Sequence, residues 1–306
     1  MRILVTGGLG AVGAPLAALL RQRGHEVWVL DRAHHHGLEG RYYFRCDLGE
    51  YRQLAEVFRR QPFDLVFNAA AEFGRLNGED FYETLWRTNA VGTKHVIRLQ
   101  EQHGFRLVHF SSSEIYGDWR DVMAEDVPAR HPIQQLNDYA ITKWVNELQI
   151  RNSMATRGTE TVTVRLFNTY GPGEYYSDYR SVICLFTYRA LHGLPYRVYL
   201  NHHRTSSYID DTARTLANIA ERFRPGEVYN IAGESYHDIK KISDLILAAV
   251  GRDDRLVEYI DFEAHNTRDK KADARKAREQ LDHRETVPLE EGIRRTVAWQ
   301  RQTYGV

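Results

Sequence analysis

The first half of the chain alternates short apolar runs with longer amphipathic ones. Ile3-Leu4-Val5, Val27-Trp28-Val29-Leu30, Asp64-Leu65-Val66-Phe67, Arg106-Leu107-Val108-His109-Phe110 and Thr161-Val162-Thr163-Val164-Arg165 read as strands. Between them, residues 14–22, 54–59, 86–100 and 139–150 carry helical patterns. Continuous apolar strands are those buried on both faces. Strands that alternate with helices predict a doubly wound, parallel α/β sheet covered on both sides. The second half is less regular, with helices predicted at 182–191, 212–222, 242–250, 272–280 and 289–300. There is no internal repeat and no linker. Pro172-Gly173 marks the point where the chain is expected to leave the sheet for a smaller α/β lobe.

Composition narrows the function classes. Lys plus Arg and Asp plus Glu both number 41, so the formal net charge is zero. That gives no support to a nucleic-acid or membrane-surface partner. Two cysteines, Cys46 and Cys184, lie far apart and suit neither a disulfide framework nor a metal site. The apolar run at the N-terminus is too short for a signal peptide, and no stretch is long enough to span a bilayer. A cytoplasmic location is the expectation.

The first strand runs into Thr6-Gly7-Gly8-Leu9-Gly10-Ala11-Val12-Gly13, and a helix follows. Glycines let the backbone turn tightly and approach a pyrophosphate, while the helix N-terminus offers free N–H groups and a positive dipole end. This predicts a Rossmann-like dinucleotide-binding unit. Asp31 ends the second strand, where a carboxylate accepts hydrogen bonds from the adenosine ribose. It would repel a 2′-phosphate and so favours NAD. Arg32 beside it argues the other way, since a guanidinium can accommodate that phosphate. His34-His35-His36 follow, with no carboxylate or cysteine at metal spacing, so they read as a solvated loop and no metal is expected.

Tyr139 and Lys143 stand four apart on a predicted helix and share a face. An ammonium near a phenol lowers the phenol pKa, so that tyrosinate can take a proton from an alcohol as hydride leaves the same carbon. Upstream, Ser111-Ser112-Ser113-Glu114-Ile115-Tyr116-Gly117 ends a central strand, where a parallel sheet places its ligand crevice. Ser112 is positioned to hydrogen-bond the reacting hydroxyl and the tyrosine.

With these motifs in this order, the chain resembles the extended short-chain dehydrogenase/reductases, the NAD-dependent nucleotide-sugar epimerase/dehydratase group. The resemblance runs along the whole chain. It also includes Cys46-Asp47-Leu48, Asn68-Ala69-Ala70-Ala71, Asn89, Arg165-Leu166-Phe167-Asn168-Thr169-Tyr170-Gly171-Pro172, Arg204-Thr205-Ser206-Ser207-Tyr208-Ile209-Asp210-Asp211 and Tyr229-Asn230-Ile231-Ala232-Gly233. It implies an NAD-binding domain over 1–170, to which 204–232 returns, and a mainly substrate-binding lobe over 171–306. It implies that Gly7, Gly10, Ala11, Val12, Gly13, Asp31, Arg32, Asp47, Leu48, Ala69, Ala70, Ala71, Asn89, Tyr139 and Lys143 hold NAD. Asn168, Arg204 and Arg268 would face a nucleoside diphosphate. Asn68 replaces a common histidine, Ala11-Val12 an aromatic–Ile pair, and Arg204 lacks the usual following Asp-Phe.

The resemblance further implies that C4 of the sugar is oxidised first, giving a 4-keto intermediate with Tyr139, Lys143 and Ser112. Hydride return to the other face gives a 4-epimer. Loss of the C5 proton and the C6 hydroxyl gives a 4-keto-6-deoxy sugar, and a C6 carboxylate is lost as carbon dioxide. Glu114 is glutamate in the 4,6-dehydratases and the UDP-glucuronate decarboxylases and usually small in simple 4-epimerases, so elimination or decarboxylation is expected ahead of epimerisation. Ser113 matches GDP-mannose dehydratases and decarboxylases, Glu72 the dTDP-glucose dehydratases, and Arg180 the decarboxylases, which leaves the subtype open. A non-catalytic NAD sensor on the same fold is a remote alternative, since such proteins typically lose the tyrosine or lysine. Glu174-Tyr175-Tyr176 and Asn201-His202-His203 either meet the ligand or pack on their own lobe. The helices at 86–100 and 139–150 are expected to pair with a second subunit, giving a homodimer.

Overall fold

The computed structural model describes residues 1–34, 42–263 and 266–306. Its centre is a seven-stranded sheet in which every pairing is parallel. In chain order the strands are β1 (Arg2–Thr6), β2 (Glu26–Asp31), β3 (Tyr43–Arg45), β4 (Leu65–Asn68), β5 (Arg106–Ser112), β6 (Thr161–Leu166) and a last strand, Val228–Ile231. Across the sheet, Val228–Ile231 lies beside β6, followed by β5, β4, β1, β2 and β3. The chain winds outward from β1 to β3, then returns to the other side of β1 with β4. That reversal opens a crevice beyond the carboxyl ends of β1 and β4, where Thr6 pairs with Asn68.

Strand alternation explains the two hydrophobic layers. Ile3 and Val5 point to one face with Val27, Val29 and Val108, and pack on Leu16 and Leu20 of α1 (Gly13–Gln22) and on Leu216. Leu4, Trp28, Leu30 and Leu107 point to the other face and pack on Leu54, Val96, Ile97 and Ile150. The helix Asp138–Arg157 lies on this second face and contacts the helix Gly92–His103. A third cluster around Phe186, Tyr196, Val198, Ile246 and Ile293 forms the core of the C-terminal lobe. Among the described residues, no helix is long and apolar enough to cross a membrane.

Two features were not foreseen. β3 is a three-residue edge strand. The helical run from Tyr82 to His103 is interrupted by a π turn, Arg87–Val91. Such single-turn π-bulges occur inside α-helices frequently at functional sites, and here the turn carries Asn89.

Candidate active site

The glycine turn is sterically closed to side chains. Gly7 has φ +64°, and a Cβ there would stand 2.7 Å from Cα of Ala70. A Cβ on Gly13 would stand 2.2 Å from the carbonyl oxygen of Gly7. The turn leads into α1, whose N-cap Val12 gives no side-chain cap; Ala14 N is taken by Gly10 O at 3.0 Å and residue 15 is proline, so α1 offers a ligand its positive dipole end rather than a full set of free amides. Gly7, Gly10, Ala11, Val12 and Gly13 form one wall of a cavity of about 350 Å³, with Ala69, Ala70 and Ala71 facing them and Asp47 and Leu48 at the far end. A backbone cradle with small residues opposite fits a dinucleotide.

Asp31 also borders this cavity. Its Oδ2 accepts from Leu9 N at 3.1 Å and its Oδ1 from Ala33 N at 3.0 Å, which orients the carboxylate and leaves lone pairs for ribose hydroxyls. Arg32 is committed elsewhere: its Nη1 lies 2.5 Å from Oε1 of Glu72. The guanidinium that left NADP open in the sequence is therefore tied to a carboxylate. Glu72 lines the cofactor cavity and also accepts from Asn77 Nδ2 at 3.1 Å. Asn89 stands behind the cavity wall. Its Oδ1 accepts from Glu72 N at 2.9 Å, and its Nδ2 donates to Glu72 O at 3.0 Å and to Thr142 Oγ1 at 3.2 Å. It shapes the segment after β4. His35 and His36 lie outside the described residues, and no metal-holding group of His, Cys, Asp and Glu occurs among the described ones.

Tyr139, Lys143, Ser112, Ser113 and Glu114 converge on the inner end of the same cavity. Ser112 accepts from Glu114 N at 3.2 Å, capping the short turn Ser113–Tyr116, and hydrogen-bonds the Tyr139 phenol. Lys143 donates to the carbonyl of Phe110 at 2.9 Å, and burial lowers its ammonium to about 8. The phenol departs from expectation. Burial pushes it well above its ordinary value, the Ser112 hydrogen bond lowers it, and the Glu114 charge raises it further. Lys143 is anchored to a backbone carbonyl with its Nζ 5.7 Å from the centre of the Tyr139 ring, so it does not offset burial here. When bound, NAD supplies a hydride acceptor and, in its oxidised form, a positive charge.

Beyond Glu114 the cavity opens into a second one, of about 630 Å³, shared with the C-terminal lobe. Glu114, Asn168, Arg180 and Lys270 line both. Asn168 has φ +37°, and its Oδ1 is buried without a partner. Arg180 is exposed. Arg204 is buried in the second cavity wall, with Nη1 donating to the carbonyls of His203 (2.9 Å) and Arg268 (2.8 Å). Arg268 itself is exposed, donates to Asn201 O at 2.8 Å, and lines neither cavity.

Lys270, two positions on, is the residue that spacing missed. It pairs in register with Arg204 on a two-residue strand, Asp269–Lys270. Its side chain is 3% exposed and its ammonium forms an ion pair with Glu114. Burial by itself would raise the Glu114 carboxyl. Lys270 most strongly, then Arg204 and Arg75, outweigh it and hold Glu114 below its usual value. No motif announces a partner from so short a strand.

The two aromatic and histidine stretches divide. Tyr175 packs edge-on to Trp299, and Tyr176 stacks on Tyr188 at 3.7 Å, both within the lobe. Glu174 lines the first cavity and accepts from Ser181 N and Oγ. His203 bonds Asp269 at 2.8 Å, while His202 is buried beside the second cavity.

A buried polar network holds β5 against the helix Asp138–Arg157. Glu147 accepts from Ser111 Oγ at 2.6 Å and from Arg165 Nε (3.0 Å) and Nη2 (2.8 Å). Arg165 also donates to Tyr116 OH at 2.9 Å, and Tyr116 donates to Asn230 at 2.8 Å. Four separate segments of chain are thus joined directly behind Ser112.

Comparison with known proteins agrees with this geometry. The family model described as "NAD dependent epimerase/dehydratase family" matches residues 3–232. The chain belongs to this family. It is 28% identical to UDP-glucuronic acid decarboxylase 1 of Xenopus tropicalis, over 98% of this chain and 72% of that one. It is equally 28% identical to a dTDP-glucose 4,6-dehydratase of Streptomyces niveus, over 98% and 93% of the two chains. Among solved structures, DesIV of Streptomyces venezuelae, a dTDP-glucose 4,6-dehydratase with NAD bound, superposes with a TM-score of 0.89 at 25% identity, covering 100% of this chain and 98% of that one. This family member is an NAD-dependent enzyme of the nucleotide-sugar epimerase/dehydratase type, and its fold is Rossmann-like α/β.

Proposed function

We propose that this enzyme oxidises C4 of a nucleoside-diphosphate sugar and then breaks a bond at C5 or C6, by elimination of water or loss of carbon dioxide. One observation carries the reading. Glu114 is an ionised carboxylate beside the Ser112–Tyr139 pair, kept ionised by Lys270. The pairing with Lys270 lowers the basicity of this carboxylate but keeps it anionic near neutrality in a buried site, so it is free to accept a proton. A 4-ketone acidifies the C5 proton, and a base there serves elimination, whereas 4-epimerisation by hydride return needs none. The names of the relatives above support the same two reactions.

In this reading Ser112 orients O4, Tyr139 takes its proton and Lys143 holds the nicotinamide ribose. The glycine turn, Asp31, Asp47, Leu48 and Ala69–Ala71 bind the rest of the cofactor. Asn168 and Arg204 face the diphosphate, with Arg180 reaching the sugar end. Residues 1–170, with 204–232 returning to them, serve the cofactor, and the rest of 171–306 mainly serves the substrate. Cys46 and Cys184 are free and buried, which fits a cytoplasmic enzyme.

The test is incubation with UDP-, GDP-, CDP- and dTDP-sugars, read by mass spectrometry. Product lighter by water or by carbon dioxide is expected. Glu114→Gln should slow water loss by about 100-fold, in the range of general-base effects, while C4 oxidation persists. A product of unchanged mass would indicate epimerisation and contradict the reading.

We further propose a homodimer through the helices Gly92–His103 and Asp138–Arg157. Val91, Ile141 and Leu148 are large apolar residues exposed there, 37–47% accessible. Leu148→Glu should convert a dimer into a monomer in sedimentation velocity, and a wild-type monomer would refute the assembly.

A further inference from the structure

The Glu114–Lys270 pair presents a base and an acid together. Both side chains line both cavities, at the junction of the cofactor and substrate spaces. Glu114 is two residues from Ser112, whose hydroxyl bonds the Tyr139 phenol, and all three line the first cavity, so a sugar whose C4 oxygen meets Ser112 and Tyr139 would bring its neighbouring carbons toward the pair. Lys270 is buried and bonded to Glu114, and Arg204 and Arg75 add positive charge to the same surroundings. Glu263 is a further carboxylate lining the second cavity, and it is paired with Arg75 at 2.5 Å.

We propose that Lys270 is a catalytic acid: it protonates the departing C6 oxygen while Glu114 removes the C5 proton, so that the enzyme is a dehydratase of a nucleotide sugar with a free C6 hydroxyl. This rests on the C4-oxidation and C5-base reading given above. Once C4 is a ketone, the C5–H bond breaks and its proton passes to Glu114. The electron pair forms the C5–C6 double bond, the C6–O bond breaks, and the Lys270 ammonium gives its proton to the leaving hydroxyl, which departs as water. Hydride taken from C4 returns at C6, and C5 receives a proton from Glu114 after that carboxyl has exchanged with solvent. The Lys270 amine is restored as Tyr139 gives up the proton it took from O4. The protonation states required at the outset are those of an ion pair, an anionic base and a cationic acid. Burial, which makes the ammonium easier to deprotonate, suits Lys270 to the task.

Arginine in place of Lys270 separates this role from a structural one. Lys270→Arg keeps a cation beside Glu114, but a guanidinium does not release its proton in a protein. Lys270→Met removes the counter-ion altogether. The probes are dTDP-glucose and UDP-glucose in D2O, with folding of each variant checked by thermal melting. For Lys270→Arg, water loss should fall at least about 100-fold while the C5 proton of the 4-keto sugar still exchanges with solvent. Lys270→Met should lose both exchange and water loss, because an unpaired buried Glu114 takes up a proton. Dehydration by Lys270→Arg within threefold of wild type would overturn the acid role. So would a wild-type enzyme that leaves both glucose probes intact but releases carbon dioxide from UDP-glucuronate. That last result would preserve C4 oxidation and replace C5 deprotonation by C5–C6 cleavage, whereas the absence of any C4 oxidation would sink both.

Discussion

Tyr139→Phe is expected to lower the rate of C4 oxidation by about 100- to 10,000-fold, the span of general acid–base effects. The substitution removes one oxygen, whose partner is the hydroxyl of Ser112. The ring keeps its edge-on contact with Phe73 at 5.8 Å and its buried position, so folding and ligand affinity should change little. In wild type, burial and the Glu114 charge together raise the phenol pKa. The protein without ligand should therefore show no tyrosinate near neutral pH. Single-turnover absorbance of the reduced cofactor measures the first expectation, and ultraviolet difference titration the second. Full turnover by the phenylalanine variant would remove Tyr139 from the chemistry.

The second large effect concerns stability. Arg165→Met should destabilise the protein by about 3–5 kcal/mol, because it leaves the Glu147 carboxylate buried without its counter-ion. Both side chains of that pair are only 3% exposed. Native proteins are stable by about 5–15 kcal/mol, so the loss is a large share of the total. The double variant Glu147→Leu, Arg165→Met removes both charges and should recover much of it, since an apolar replacement of a buried pair is often near neutral. The midpoint of urea unfolding tests this. A double variant no more stable than Arg165→Met alone would show that Ser111, Tyr116 and Asn230 depend on the pair for their own packing.

Much of the cofactor side was legible because its chemistry is local in sequence. The glycine turn is one contiguous string, and its geometry follows from backbone contacts within that string and with Ala70. Tyr139 and Lys143 are one helical turn apart, and Ser112 and Glu114 belong to one strand end. The substrate side was legible only in part. Arg268 and Lys270 are both basic, and nothing in their spacing says which one turns inward. That is decided by pairing with His203 and Arg204, distant in sequence, on strands too short to carry a periodic signal. The motif implies a cofactor role for Asn89 but not its bonds to the backbone of Glu72, which follow from the π turn that carries it. The sign of the Tyr139 shift was missed for a related reason. Four-residue spacing places Lys143 on the same face but does not reveal that the carbonyl of Phe110 claims its ammonium.

The central claim is that a C5 carbanion, formed by loss of the C5 proton or of the C6 carboxylate, follows oxidation at C4. Conversion of a nucleotide sugar in D2O tests it most directly, with the product analysed by NMR and mass. The account predicts a product that has lost water or carbon dioxide and carries solvent deuterium at C5. A product that retains every substrate atom and takes up no deuterium, differing only in configuration at C4, would contradict it.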